Sequence, residues 1–279
     1  MLYLGEFQVL TIKKAAPQGL YLENFEGDEV LLPNAFRQAS MQIGEQLEVF
    51  VYGDNQNRPV ATTQRPYLTV NTATCLEIKE ATDIGAFCHW GVSKDLFIPF
   101  RNQQRRLRPG QQAIVYMYLD EQSQRLVGST VLKKHFKEYA DAGLEMGQEV
   151  DLLIGPKSEL GHKVIINQTY LGLVYANEGE DLRYGDHCKG FIKPIRTDGK
   201  IDVSLHPIGL GAIEPNAAEI LNRLKNAGGK LPFTDKSDPN LIRQEFGISK
   251  KLFKKAIGNL YRQQLIKLKD DGIYLVEGN

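Results

Sequence analysis

The side chains in this sequence with the types and spacing for chemistry are cationic and aromatic. Arg101, Arg105, Arg106 and Arg108 crowd into one short stretch, and Lys250, Lys251, Lys254 and Lys255 recur at helical spacing ahead of Arg262. Arginine offers a fork for phosphate and a plane that stacks on bases, whereas lysine fits phosphate contact better than base discrimination. A third set, Lys163, Lys189, Lys193 and Arg196, stands against an acidic background with Phe191 and Ile195 interleaved. If the strand there alternates, Lys189, Phe191, Lys193 and Ile195 share one face. Each set also has a plainer reading, as a solvated loop or the wet face of a helix.

Residues suited to catalysis fail their spacing tests. The histidines (His89, His135, His162, His187 and His206) make no His-Glu-x-x-His or Cys/His zinc pattern, and His187 and Cys188 are strand neighbours that point to opposite faces. Cys75, Cys88 and Cys188 lie far apart, as reduced thiols of a cytoplasm do. Gly209-Leu210-Gly211 lacks the third glycine and the βαβ context of a nucleotide loop, and no Walker lysine motif is present. The expectation is a protein that is not an enzyme, with no metal and no cofactor. No apolar run approaches the roughly 18 residues of a membrane span, and Met1-Leu2-Tyr3-Leu4-Gly5-Glu6 lacks a secretory start, so a cytoplasmic protein is expected.

These residues are carried by a repeat. Gly19, Pro33 and Gly44 recur as Gly85, Pro99 and Gly110, a shift of 66 residues each time. Leu47 to Tyr52 answers Ala113 to Tyr118, both β-rich, and hairpin loops at Gly53–Asn57 and Asp120–Ser123 lead to strands at Val60–Thr63 and Leu126–Ser129. A third unit follows with landmarks at Gly161, Gly172-Leu173-Val174-Tyr175 and Gly185, closing on an Asp198-Gly199 turn. Five short strands per unit predict small closed barrels such as the OB-fold, strung like beads, with a linker helix over Lys133–Ala142. The formal net charge is zero. Lysine plus arginine against aspartate plus glutamate nevertheless gives −3 for residues 1–68, +4 for 69–137, −5 for 138–213 and +4 for 214–279. The second and fourth segments are therefore the better phosphate binders.

Helical periodicity takes over near the end. Ala217–Lys225 forms one helix, Ser237-Asp238-Pro239 opens a second that Gly247 stops, and Ser249 caps a third running to about Gln263 with Leu252, Phe253, Ala256, Ile257 and Leu260 as its core stripe. A hairpin of Leu265–Lys269 and Ile273–Val276 completes a pattern like that of a winged helix.

Asp83-Ile84-Gly85-Ala86-Phe87-Cys88 resembles the Phe-Gly-Ala-Phe-Val core of the S-one domain, the RNA-binding OB-fold named after the first small-subunit ribosomal protein. Gly172-Leu173-Val174-Tyr175 is similar to its Gly-Leu-Val-His strand, and Gly199 to Leu205 to its final strand. The resemblance implies an RNA-facing platform at Gln18, Tyr21 and Leu32, then Ile84, Phe87 and Ile98, then Leu160, Lys163 and Tyr175, of which only Tyr21, Phe87 and Tyr175 are aromatic. Three such units followed by a winged helix resemble the bacterial conserved virulence factor B family. The expected fold is mainly β with a C-terminal α/β part: OB barrels at 1–66, 67–134 and 145–207, then a winged helix-turn-helix at 214–279. The resemblance implies non-catalytic binding of single-stranded RNA to regulate expression post-transcriptionally. The alternative is a transcription regulator whose winged helix binds duplex DNA while the barrels bind proteins that the sequence does not identify.

Overall fold

The structure, a computed structural model, describes residues 1–207, 215–262 and 265–276. Gly209-Leu210-Gly211 and Gln263 lie outside the described residues. By contacts the chain divides into two compact units, Met1–Leu144 with Val150–Lys189 and Ile195–Val203, and Glu145–Glu149 with Gly190–Pro194 and Ser204–Asn279.

Residues 1–62 build a closed barrel from β1 (Glu6–Ala16), β2 (Gly19–Glu23), β3 (Glu29–Pro33), β4 (Gln46–Gly53) and β5 (Pro59–Thr62), in the order β1-β2-β3-β5-β4. The next five strands are β6 (Ala73–Ala81), β7 (Gly85–Cys88), β8 (Leu96–Pro99), β9 (Gln112–Asp120) and β10 (Arg125–Ser129). They repeat the pairing in the order β10-β9-β6-β7-β8 but form a five-stranded sheet, not the closed barrel expected. In place of the parallel Leu31↔Val60 bridge of the first unit, β10 meets β8 through side chains: a Cβ on Gly128 would stand 2.8 Å from Ile98 Cγ1. The third set closes again, with β11 (Glu149–Lys157), β12 (Gly161–Ile166), β13 (Tyr170–Tyr175), β14 (His187–Ile192) and β15 (Ile201–Ser204) in the order β11-β12-β13-β15-β14.

One device recurs in all three units. The long first strand slips register between Ile12 and Lys14, between Ile78 and Glu80, and between Ile154 and Lys157. A bulge there bends the strand so that it can belong to both halves of a small barrel. Just beyond, Gly19, Gly85 and Gly161 face Pro33, Pro99 and Tyr175 across the next ladder. A Cβ at these glycines would lie 2.1, 2.5 and 2.1 Å from the carbonyl oxygens of Leu32, Ile98 and Val174, so the strand crossing admits no side chain.

The first barrel, the five-stranded sheet and the strands that follow are not separate beads. Val49 and Val51 point into the first barrel, while their β4 neighbours Phe50 and Tyr52 are buried against Leu68, Trp90 and Leu96 of the second unit. Phe50 meets Trp90 edge to face with centroids 5.6 Å apart. Lys94 Nζ donates to the carbonyls of Gly53 and Asp54 at 3.0 and 2.8 Å, and burial pushes its pKa down. On β9, Ile114 and Tyr116 face outward and are covered by Phe136, Leu153 and Ile165. Gln168 clasps Ala73 by accepting from its N–H at 2.8 Å and donating to its carbonyl at 2.9 Å.

The linker helix expected over Lys133–Ala142 is not formed; only one 3-10 turn, Leu132–Lys134, stands there. Phe136 is drawn into the buried cluster, and Lys137 forms an isolated bridge beside β13 through backbone bonds with Thr169 and Leu171, which takes its N–H and carbonyl out of any helix. Packing and strand pairing outweigh helix propensity at this place.

In the second of the two compact units, α1 (Pro215–Asn226), α2 (Pro239–Phe246), α3 (Lys250–Arg262), β16 (Lys230–Leu231), β17 (Ile266–Lys269) and β18 (Gly272–Leu275) form a winged helix. Asp238 caps α2 by accepting from Asn240 N–H at 2.7 Å, Gly247 ends it at φ 69°, and Ser249 Oγ accepts from Leu252 N–H at 3.3 Å to start α3. The wing has a third strand unmarked in the sequence pattern, β16, paired to β18. Phe253, Ala256, Ile257 and Leu260 pack on Ile220, Leu224 and Ile242, but Leu252 is 43% exposed and does not belong to the core stripe expected for it.

Candidate nucleic-acid interface

The outward face of β7 and β8 carries an aromatic pair. Alternation buries Ala86, Cys88, Leu96 and Ile98 and leaves Phe87 opposite Phe97, both half-buried, with centroids 5.0 Å apart and planes tilted by 36°. The Phe97 ring overlies Gly85, whose absent Cβ would stand 2.6 Å from it. This corrects the platform inferred from the resemblance: Ile98 and Leu32 are fully buried, because Gly85 pairs with Pro99 and Gly19 with Pro33, one residue further on. The outward partners are Phe97 and Leu31. Phe97 is not among the positions that the resemblance implies, although its place between two inward apolar residues marks it as outward. Ile84 and Leu160 are exposed.

The arginine loop follows β8 directly. Arg106 lays its guanidinium carbon 3.4 Å from the Phe100 centroid, a stacked cation in the loop. Arg101 is engaged with Asp120 Oδ1 at 3.1 Å, and the bonds from Ser123 hold that carboxyl below its usual range. Arg105 is exposed and has no partner among the described residues.

The two closed barrels are less inviting. Tyr21 is half-buried on β2 with Lys14 Nζ 4.9 Å over its ring and Gln18 Nε2 donating to its hydroxyl at 2.8 Å. Lys14 is itself paired to Glu29 at 2.8 Å, and Lys13 to Glu23 and Glu29, so little free positive charge remains. In the third barrel Lys163 is exposed opposite Leu173, and Tyr175 donates its hydroxyl to the buried Asp202 at 3.0 Å. Arg196 reaches Asp198 at 3.3 Å and Asp202 at 4.0 Å, Lys189 pairs with Asp151 at 2.8 Å, and Lys193, half-buried, lies just past β14. The structure therefore ties two of these four cations, Lys189 and Arg196, to carboxylates and leaves Lys163 exposed.

On α3 the cations split between two stripes. At 100° per residue, Lys251, Lys255 and Arg262 lie opposite the buried Phe253–Leu260 stripe, whereas Lys250 and Lys254 fall on one flank. Lys250 is half-buried and Lys254 reaches Asp235 at 3.5 Å. Gly258 sits on the outer stripe between Lys255 and Arg262, and a Cβ there would meet nothing within 4 Å. The wing adds Lys269 and Lys230, whose ammonium groups lie 4.4 and 5.0 Å from the Tyr274 ring centroid.

Among the described residues no group of three or more His, Cys, Asp or Glu is placed to hold a metal ion, and no helix is long and apolar enough to cross a membrane.

Comparison with known proteins matches two of these domains. Residues 4–64 match the S1 domain, the S-one fold, and residues 218–275 match the CvfB-like winged helix domain. The chain is 24% identical to the conserved virulence factor B of Staphylococcus saprophyticus, over 98% of its own length and 95% of that protein. It is 26% identical to the protein YitL of Bacillus subtilis, over 92% and 89% of the two. The crystal structure of a multidomain protein with nucleic acid binding domains from Streptococcus pneumoniae is 23% identical, covers 98% of each chain and superposes with a TM-score of 0.44. The chain thus carries an S1 domain and a CvfB-like winged helix, and its likeness to conserved virulence factor B proteins runs along most of its length.

Proposed function

We propose that this protein binds single-stranded RNA without chemistry, laying the strand on the outward face of its β-units and adding phosphate contacts from the winged helix. It works as four domains, at about 1–66, 67–134, 145–207 and 214–279, and regulates expression post-transcriptionally in a bacterial cytoplasm. The observation that carries the reading is the Phe87–Phe97 pair, two half-buried rings 5.0 Å apart on a sheet face, followed in the chain by the Phe100–Arg106 stack and the unpaired Arg105. Bases stack on such surfaces with about 1–3 kcal/mol each and without sequence preference. Single strands have unstacked bases to offer, whereas a duplex buries its base faces, so the aromatic face favours single-stranded nucleic acid.

A second reading has its own observation. The Lys251–Lys255–Arg262 stripe on the exposed side of α3 has the composition of a phosphate-contacting helix, as in a winged helix bound to duplex DNA. Parallel titrations of the full chain with oligouridine and with duplex DNA, at one salt concentration, separate the two. Tighter binding of the single strand is expected; preference for the duplex overturns the RNA reading in favour of the second.

A further inference from the structure

We propose that Tyr67 and His89 form a second base-stacking subsite, one step along β7 from Phe87, which takes an unpaired nucleobase and not a phosphate. The inference rests on the single-strand reading above and extends it by one site.

Tyr67 belongs to the connection between the first two β-units and is 62% exposed, a large apolar surface that the core does not use. Its backbone is nonetheless fixed, because its N–H donates to the Trp90 carbonyl at 2.8 Å. Trp90 is 2% exposed and wedged against Phe50 and Tyr52. The strand alternation that turns Phe87 outward continues past the end of β7: Cys88 and Trp90 are buried and His89 is exposed. His89 thus stands about 7 Å beyond Phe87 on the same side. Its ring meets Tyr67 at 5.9 Å and 83°, an edge-to-face contact that leaves at least one face of each ring uncovered by the other. Rings held on a rigid base lose little freedom when they bind.

Both side chains line a groove of about 450 Å³ together with Glu77, Lys79 and Gly110, a volume in the range of small-ligand sites. Its charges decide what it accepts. Lys79 is paired to Asp95 at 2.7 Å, His89 Nδ1 lies 3.7 Å from the same carboxylate, and Glu77 adds a negative charge on β6. Among the described residues that line the groove the one lysine is already paired, whereas a neutral base finds ring faces to stack on and a carboxylate able to accept from a base N–H.

The test compares Tyr67→Ala and Phe87→Ala in the full chain, titrated with a short and a long oligouridine. Because Tyr67 is exposed, its loss leaves the fold intact, and Trp90, the one tryptophan of the chain, reports both folding and occupancy by its emission. The expected result is that Tyr67→Ala weakens the long oligomer about fivefold or more and the short one hardly at all. The dependence on salt should be unchanged, and inorganic phosphate should not compete. Parent-like binding of the long oligomer by Tyr67→Ala, with Phe87→Ala weakened, overturns the subsite and leaves the single-strand reading standing. Parent-like binding by both variants overturns both.

Discussion

A single residue offset decides what the β7–β8 face can bind. Pairing Gly85 with Pro99 places Phe97, not Ile98, beside Phe87 and turns a lone exposed ring into a pair. A resemblance carried over by spacing alone lands on Ile98, because strand register is set by the ladder and a slip of one exchanges the two faces. Phe97→Ala should therefore weaken oligouridine binding about as much as Phe87→Ala does, by about 1 kcal/mol or more, whereas Ile98→Ala should cost fold stability by about 2–5 kcal/mol. Titration and denaturant unfolding read the two effects separately. The cysteines make a second residue-scale prediction. Burial in the core pushes the Cys88 thiol up to about 12, so little nucleophilic thiolate exists at neutral pH. Cys88 should resist alkylation in the native protein and react only once the chain unfolds, as mass spectrometry after a timed pulse would record.

At the scale of elements, the sequence is most legible where periodicity and caps agree. Asp238-Pro239, Gly247 and Ser249 mark the ends of α2 and α3 as the structure has them. Illegible are β16, a two-residue strand defined only by its pairing to β18, and the Lys137 bridge, whose partners Thr169 and Leu171 are distant in sequence. Gly258 is a local inconsistency of a different kind. Nothing crowds it, so neither packing nor backbone conformation asks for glycine there. Gly258→Ala should stabilise the winged helix by up to about 1 kcal/mol, measured by denaturant unfolding, because alanine loses less backbone freedom in a helix. The wing offers a pH test. The ammonium of Lys230 and the hydroxyl of Tyr274 hold Asp271 down to about 2. A carboxyl depressed in the folded state stabilises above its unfolded pKa of about 4, and that contribution is lost as pH falls toward 2. Asp271→Asn should therefore be less stable than the parent at neutral pH, and the gap should close on acidification through this window.

For the molecule as a whole, the uninterrupted apolar runs of β4 and β9 hold a message that alternation alone does not give. Val49-Phe50-Val51-Tyr52 and Ala113 to Met117 are buried on both faces, and a strand buried on both faces has a neighbour on each. Read this way, the sequence itself argues against beads on a string. Phe50→Ala should cost about 3–5 kcal/mol and loosen the first barrel from the strands beside it, visible as a second transition in a melt that is otherwise shared. The proposed binding mode divides its labour between stacking and charge, and salt separates the two. Replacing Lys251, Lys255 and Arg262 with Gln should lower affinity for oligouridine and reduce the slope of log affinity against log salt by about 2, since each phosphate contact on a single strand contributes about 0.7. The most direct test of the central claim is the same titration series on the Phe87→Ala/Phe97→Ala double variant. Affinity falling about tenfold or more, with the parent's salt slope, is the outcome that stacking on the β7–β8 face requires. Affinity and slope equal to the parent's would show that this face does not bind RNA.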